Sequence, residues 1–280
     1  MELGMYSPEI KRRSLPELFQ AAAGYGFRQM QFNYTSAGLE ELPDRIPDSL
    51  VSSIRREADF HNIKITALNG TFNMVHPDEE LVKECVKRFE ALAASCKELG
   101  CNLITLCTGT RNPKDAWVWH PDNETEETWA AFRRTLDPLI DYARKYNIYL
   151  GIEPEVVNVI DSADKACRLF EEVKSERIRI IMDVANMVPD GAATPENIRR
   201  IMEDAFSRLG RYTYIVHGKD IMASVPGEET VLTSAGRGIL DYRRLVRLME
   251  KYGCSDSLIL HGMRREEEFS DSLEYIRAIV

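Results

Sequence analysis

Short apolar runs alternate along this chain with longer stretches in which apolar residues recur at three- and four-residue intervals. The runs fall at 1–6 (MELGMY), 28–33 (RQMQFN), 63–69 (IKITALN), 102–108 (NLITLCT), 148–153 (IYLGIE), 178–183 (IRIIMD), 212–217 (YTYIVH) and 257–262 (SLILHG). Continuous apolar runs of this length are expected of strands covered on both faces. The stretches between them, such as SLPELFQAAAGYG, EELVKECVKRFEALAASCKELG and TWAAFRRTLDPLIDYARKYN, predict amphipathic helices. Gly100 and Gly253 stand where helix C-terminal caps would be. Strict alternation, with no break in composition and no Pro/Gly/Ser linker, predicts one α/β domain over 1–280, a (β/α)8 TIM barrel. A doubly wound open sheet is the alternative, but no G-x-G-x-x-G follows the first strand to support dinucleotide binding.

The length of 280 residues is close to the roughly 250 typical of such a barrel. A net charge of −9 argues against a surface built to neutralise nucleic-acid phosphates or anionic lipid, so small soluble substrates are expected. The six cysteines (Cys85, Cys96, Cys101, Cys107, Cys167 and Cys254) lack paired C-x-x-C spacing and read as reduced thiols. The first residues carry no apolar segment of signal-peptide length, and no run approaches the ~18 apolar residues of a membrane helix. A cytoplasmic protein without membrane partners is expected, and a homo-oligomer is compatible with this reading.

The last four runs each end on a residue able to bind a metal: Glu153, Asp183, His217 and His261. In a parallel barrel the carboxyl ends of the strands converge on one rim, where active sites of this architecture lie. The spacings of 30, 34 and 44 residues match whole β/α units rather than a local zinc motif. Two carboxylates and two imidazoles suit one divalent ion of the manganese, zinc, cobalt or iron(II) kind better than calcium. Any one of these residues alone could equally be a helix cap or a rim residue. Four in register is the informative pattern.

These motifs resemble the sugar phosphate isomerase/epimerase family of xylose isomerase-like barrels, a group that also contains the apurinic (AP) endonuclease family 2 branch. The likeness covers nearly the whole chain. It is sharpest at GIEPE, MDVAN and the H-x-K-D of His217, Lys219 and Asp220, with similar segments at NGTFNMVHPD (69–78), CTGTRNP through HPDN (107–123) and the glycines Gly236 and Gly238. The resemblance implies that Glu153, Asp183 and His217 hold a divalent metal, with magnesium added to the ions above, and that Asn69 lies in a substrate-contacting segment. It also implies a pair of glutamates on opposite faces of the substrate in the epimerases. This chain has His261 where the second glutamate would stand, and Asn186 where many members have a substrate-contacting histidine.

Several further residues are candidates. Lys219 could neutralise a substrate oxyanion or pair with Asp220 or Glu153. Asp220 could orient a ligand imidazole or cap a helix. Glu155, two residues past Glu153, is a reserve acid/base. The long segment at 109–125 holds Arg111, Trp117, Trp119 and His120 and reads as a lid or substrate wall, the latter two as substrate contacts. Arg237, flanked by glycines, is a candidate for a substrate oxygen. The run 264–268 reads as a solvated face. The expected activity is a metal-dependent isomerase or epimerase acting on a small sugar, sugar phosphate or polyol-derived ketose, with Glu153 and Lys219 catalytic. With one glutamate, same-face proton transfer is easier to justify than opposite-face epimerisation. The alternatives are an inosose-type dehydratase and a metal- or sugar-binding homologue without turnover. An endonuclease, which needs a histidine-rich zinc cluster, is disfavoured by five histidines and an acidic chain.

Overall fold

The computed structural model describes residues 1–254 and 257–280. Eight parallel strands close into a barrel: β1 (Glu2–Tyr6), β2 (Gln29–Phe32), β3 (Lys64–Asn69), β4 (Leu103–Cys107), β5 (Tyr149–Glu153), β6 (Ile178–Met182), β7 (Thr213–Ile221) and β9 (Ser257–Leu260). Neighbouring strands pair in chain order, β9 pairs with both β7 and β1, and the β6–β7 pairing completes the ring. The eight expected strands are therefore all present, each within a residue or two of its expected start.

Helices α1 (Leu15–Tyr25), α2 (Asp48–Phe60), α3 (Glu79–Leu99), α4 (Glu126–Lys145), α5 (Ala163–Val173), α6 (Pro195–Leu209), α7 (Tyr242–Tyr252) and α8 (Glu268–Arg277) follow the strands in turn. Their ends obey local chemistry. The Asp78 carboxylate accepts the Glu80 and Leu81 N–H groups at the start of α3. Gly100 at φ 70° and Gly253 at φ 59° end α3 and α7 in the left-handed region that glycine enters without strain.

Apolar side chains divide between two cores. The larger lies between strands and helices, and a small inner one is built from Ala67, Leu103, Ile181, Ile215 and Ile259. Gly151 makes the inner packing possible, because a Cβ there would meet Ile181 Cδ1 at 2.6 Å. A filled barrel leaves only the rims for chemistry.

One element departs from expectation. The seventh strand runs four residues beyond His217, and its extension pairs antiparallel with a short strand, β8 (Leu232–Ser234), in the register Lys219 to Ser234 and Ile221 to Leu232. Lys219 and Asp220 thus sit on a strand. Three residues (LTS) are too few to give a periodic signal. Among the described residues no helix is long and apolar enough to cross a membrane.

Candidate metal centre

Glu153 is the last residue of β5, Asp183 follows the last residue of β6, and His217 lies within β7. Parallel register brings the three to one point on the carboxyl rim. Each offers a ligand atom, and these atoms lie within 4.8 Å of one another with all three residues buried. His217 Nδ1 is 3.3 Å from Glu153 Oε1 and 3.5 Å from Asp183 Oδ2. Its other nitrogen, Nε2, is 2.9 Å from Gln31 Oε1 at the end of β2. The Gln31 amide is itself oriented by donating to Thr105 Oγ1 at 3.3 Å. A carbonyl oxygen at Nε2 favours a proton there, so that Nδ1, which faces the carboxylates, is the nitrogen a metal would take once its own proton is lost, the arrangement that fixes a metal-binding imidazole.

Lys219 and Asn186 complete the cluster. Lys219 Nζ is 3.1 Å from Asp183 Oδ2 and donates to Asn186 Oδ1 at 2.9 Å, while Asn186 Nδ2 donates to Glu153 Oε1 at 2.7 Å. Asn186 therefore cross-links an acid to a cation, and Lys219 pairs with Asp183 rather than with Asp220 or Glu153.

The electrostatics follow from burial and proximity. For Lys219, burial works to lower the ammonium pKa, but Asp183, Glu153 and Glu155 more than offset it and the group is held charged. Burial likewise opposes the negative charge of Asp183 and Glu153, yet Lys219 and His217 hold Asp183 well below the usual carboxylate range, and His217 and Lys219 hold Glu153 below its own. Against burial, the charge of Glu153 and the carboxylate of Asp183 raise His217 to about 9. Glu155 goes the other way, because burial and the neighbouring Glu153 push it up to about 7.

The donor set fits a divalent ion. Asp183 Oδ2 is fully buried and is held by ion pairing, with Lys219 Nζ at 3.1 Å and His217 Nδ1 at 3.5 Å, rather than by a well-aligned hydrogen bond among the described residues. A buried carboxylate oxygen held by ion pairs alone keeps lone-pair capacity that a divalent ion can use. Two carboxylates and one imidazole also match the three-protein-ligand sets of catalytic sites with an open position.

The expected fourth donor behaves differently. The His261 ring lies 5.2 Å from that of His217, centroid to centroid, but His261 is outside the group of converging ligand atoms. Its Nδ1 is 2.8 Å from Glu9 Oε1, its ring packs on Tyr6 at 4.8 Å, and Glu9 Oε1 also accepts the Gly262 N–H at 2.7 Å. Glu9 lies in a 3-10 turn after β1, Ser7–Glu9, and holds the imidazole through Nδ1.

The other candidate residues make local contacts of their own. Asn69 donates to Glu41 Oε1 at 2.6 Å, an oxygen shared with Asn33, which in turn bonds Tyr6. Arg237 is tied away from the centre by Asp271 on α8 at 2.6 Å. His120 Nδ1 accepts the Asp122 N–H and caps a turn, whereas Trp119 is 47% exposed on the 109–125 segment. Arg111 pins that segment by donating to Val75 O at 2.9 Å. Asp220 neither orients an imidazole nor caps a helix: it accepts the backbone N–H groups of Ile221, Gly236, Gly238 and Leu240 and so clamps the β8 loop to β7. Sequence reasoning missed Gln31, Glu9 and Tyr6. Gln31 could have been found as a polar residue inside an apolar run.

Solved structures share this architecture at low identity, a likeness that shows the fold alone. A 3-keto-D-glucoside 4-epimerase from E. coli aligns with a TM-score of 0.73 at 17% identity, over 99% of each chain. A probable 3-DHS dehydratase of petrobactin synthesis from Bacillus anthracis aligns at 0.75 and 14%, over 99% of each chain. A xylose isomerase-like barrel protein from Mycobacterium smegmatis, crystallised in complex with magnesium, aligns at 0.75 and 14%, over 99% of this chain and 96% of that one. Among curated proteins, none matches the sequence. The family model of the xylose isomerase-like TIM barrel matches residues 19–279, and the chain belongs to that family.

Proposed function

We propose that this protein is a divalent-metal-dependent isomerase or epimerase that moves a proton on the carbon beside the carbonyl of a small sugar, sugar phosphate or polyol-derived ketose. The observation that carries the reading is the convergence of the buried side chains of Glu153, Asp183 and His217, whose ligand atoms lie within 4.8 Å of one another. An ion of the manganese, zinc, cobalt, iron or magnesium kind, held by these three, would supply Lewis-acid polarisation of the carbonyl.

The chain's own residues account for the rest. Glu153 uses Oε1 for Asn186 and His217, and among the described residues no hydrogen bond uses Oε2, which is assigned to take the proton. Lys219, held charged and buried, stabilises the negative charge that the departing proton leaves on the substrate. Asn186 holds both of these groups in place. Glu155, raised to about 7, is an acid/base reserve beside Glu153.

His261 supplies the second proton-transfer group. Glu9 Oε1 and the Gly262 N–H occupy Nδ1, and among the described residues no hydrogen bond uses Nε2. An imidazole oriented by a carboxylate in this way stands in for the absent second glutamate. Two-sided proton transfer, hence epimerisation, is then better supported than the same-face transfer expected from a single glutamate. Dehydration is the second reading: after the same abstraction, His261 would protonate a departing hydroxyl as water. The acidic chain continues to favour a small carbohydrate over nucleic acid.

The test is incubation of metal-reconstituted and chelated protein with a panel of ketoses and keto-sugars in deuterated buffer, read by NMR. Metal-dependent deuterium at the carbon beside the carbonyl is expected, with an epimer or isomer as product; an unsaturated product instead would select dehydration. Tight metal and sugar binding with no label in any sugar would reject turnover and leave a binding protein.

A further inference from the structure

We infer that the opposite, amino-terminal face of the barrel carries a binding site for a small molecule bearing two or more phosphate groups. A cavity of about 620 Å³ opens there, below the starts of β5, β6 and β7, on the rim away from Glu153, Asp183 and His217. Four cations line it, Lys174, Arg177, Arg179 and Arg211, against a single acid among the described lining residues, Glu176. None of the four makes an ion pair among the described residues. Cations on the adjoining helices do: Arg168 meets Glu126 and Glu172, and Arg208 meets Asp164.

Helix dipoles account for part of this cluster. Lys174 caps the carboxyl end of α5, and Arg211 follows that of α6, where positive charge is favoured without any ligand. Arg177 and Arg179 precede or begin β6 and have no helix end to complement. Their positions are set by aromatic faces instead. Arg179 stacks 4.2 Å over Tyr149, with Arg177 at 5.7 Å from the same ring, and Arg211 lies 4.6 Å over Tyr212. Their hydrogen bonds go to neutral acceptors: Arg179 donates to the Glu176 and Ile178 carbonyls and Arg177 to Asn147 Oδ1.

Guanidinium groups held against aromatic faces give up part of their side-chain freedom before a ligand arrives, and their N–H groups match phosphate oxygens two at a time. Four positive charges around one cavity need more than one negative charge to balance them. The chain as a whole, at −9, repels anions, so binding here depends on this local arrangement rather than on bulk charge.

Titration calorimetry with inorganic pyrophosphate, on metal-free protein in roughly 0.15 M salt where surface attraction is screened, tests the assignment. One equivalent is expected to bind, with affinity at least tenfold weaker in the double variant Arg177→Ala/Arg211→Ala and unchanged in Asp183→Ala. Pyrophosphate should also raise the melting temperature of the native protein and of Asp183→Ala but not of the double variant, which separates lost binding from lost folding. Absence of saturable binding, equal binding by the double variant, or binding lost only in Asp183→Ala would each overturn the site. None of these outcomes bears on the isomerase reading, which needs the other rim.

Discussion

His261 Nδ1 lies 2.8 Å from Glu9 Oε1, across 252 residues of sequence, and this contact separates the imidazole from the three residues it was expected to join. A nitrogen bonded to a carboxylate is not free to bind an ion. The Gly262 N–H also approaches Nδ1, at 2.7 Å, so both Glu9 and the backbone engage this nitrogen and Nε2 is the one left for the proposed proton transfer.

Removing His261 should therefore split the reaction rather than abolish metal binding. His261→Ala is expected to retain stoichiometric metal and deuterium exchange at the abstracted carbon, while product formation falls ~10²- to 10⁴-fold, the usual worth of a general acid or base. Glu9→Gln should fall less, because an amide oxygen still accepts from Nδ1. Metal content by plasma mass spectrometry, with exchange and turnover measured on the same samples, decides the point; loss of the metal in His261→Ala would return it to the ligand set.

Gln31 is predicted to tune the centre through His217. Its carbonyl holds Nε2 at 2.9 Å, so Gln31→Leu removes the acceptor that fixes the ring's tautomer and orientation. Groups of this kind typically contribute 10- to 100-fold to metal affinity. Competition against a fluorescent chelator should show a loss of about that size, and an unchanged affinity would mean that the buried packing of His217 alone sets its pose.

How much of this was legible in the sequence depends on where each side chain gets its direction. Glu153, Asp183 and His217 stand at or near strand ends, and parallel register alone sends them to one rim; Asn186, three residues past Asp183, is carried with them. Arg237, His120 and His261 project from irregular backbone, where no periodicity specifies direction; Arg237 and His261 meet partners distant in sequence, Asp271 and Glu9, while His120 turns back on its own local turn at Asp122. The β8 strand escaped notice for a related reason. Its three residues are held by antiparallel pairing with β7, and the turn that follows by the Asp220 clamp, rather than by an apolar pattern of their own.

That clamp makes Asp220 a stability position. Oδ1 accepts the Ile221 and Leu240 N–H groups, and Oδ2 accepts those of Gly236 and Gly238. Burial lifts the carboxyl above its ordinary value, and these four donors partly restore it. In Asp220→Asn the amide must turn two donors toward two backbone N–H groups, so a loss on the order of 3 kcal/mol is expected from hydrogen bonds of this charged kind. Urea unfolding should show it in the midpoint; a midpoint within error of the native one would mean that the β8 loop does not depend on the clamp.

The centre also fixes how stability should vary with pH, with opposite signs for its members. His217 is raised from 6.5 to about 9, so its stabilisation is complete below pH 6.5 and is lost as pH rises through about 9. Glu155, raised from 4.5 to about 7, loses its share as pH rises through about 7. Asp183 and Glu153 are lowered, so theirs is present above about pH 4.5 and disappears on acidification. Chelated protein should thus melt highest near pH 5 to 6 and progressively lower up to pH 9. Metal binding must displace the His217 proton, so affinity should rise about tenfold per pH unit toward 9, and the loaded protein should lose most of the alkaline decline. Melting curves of both forms across this range are the check. A chelated protein equally stable at pH 6 and 9 would show that His217 is neutral in the metal-free fold, and that the carboxylates meet each other without the cation assigned between them.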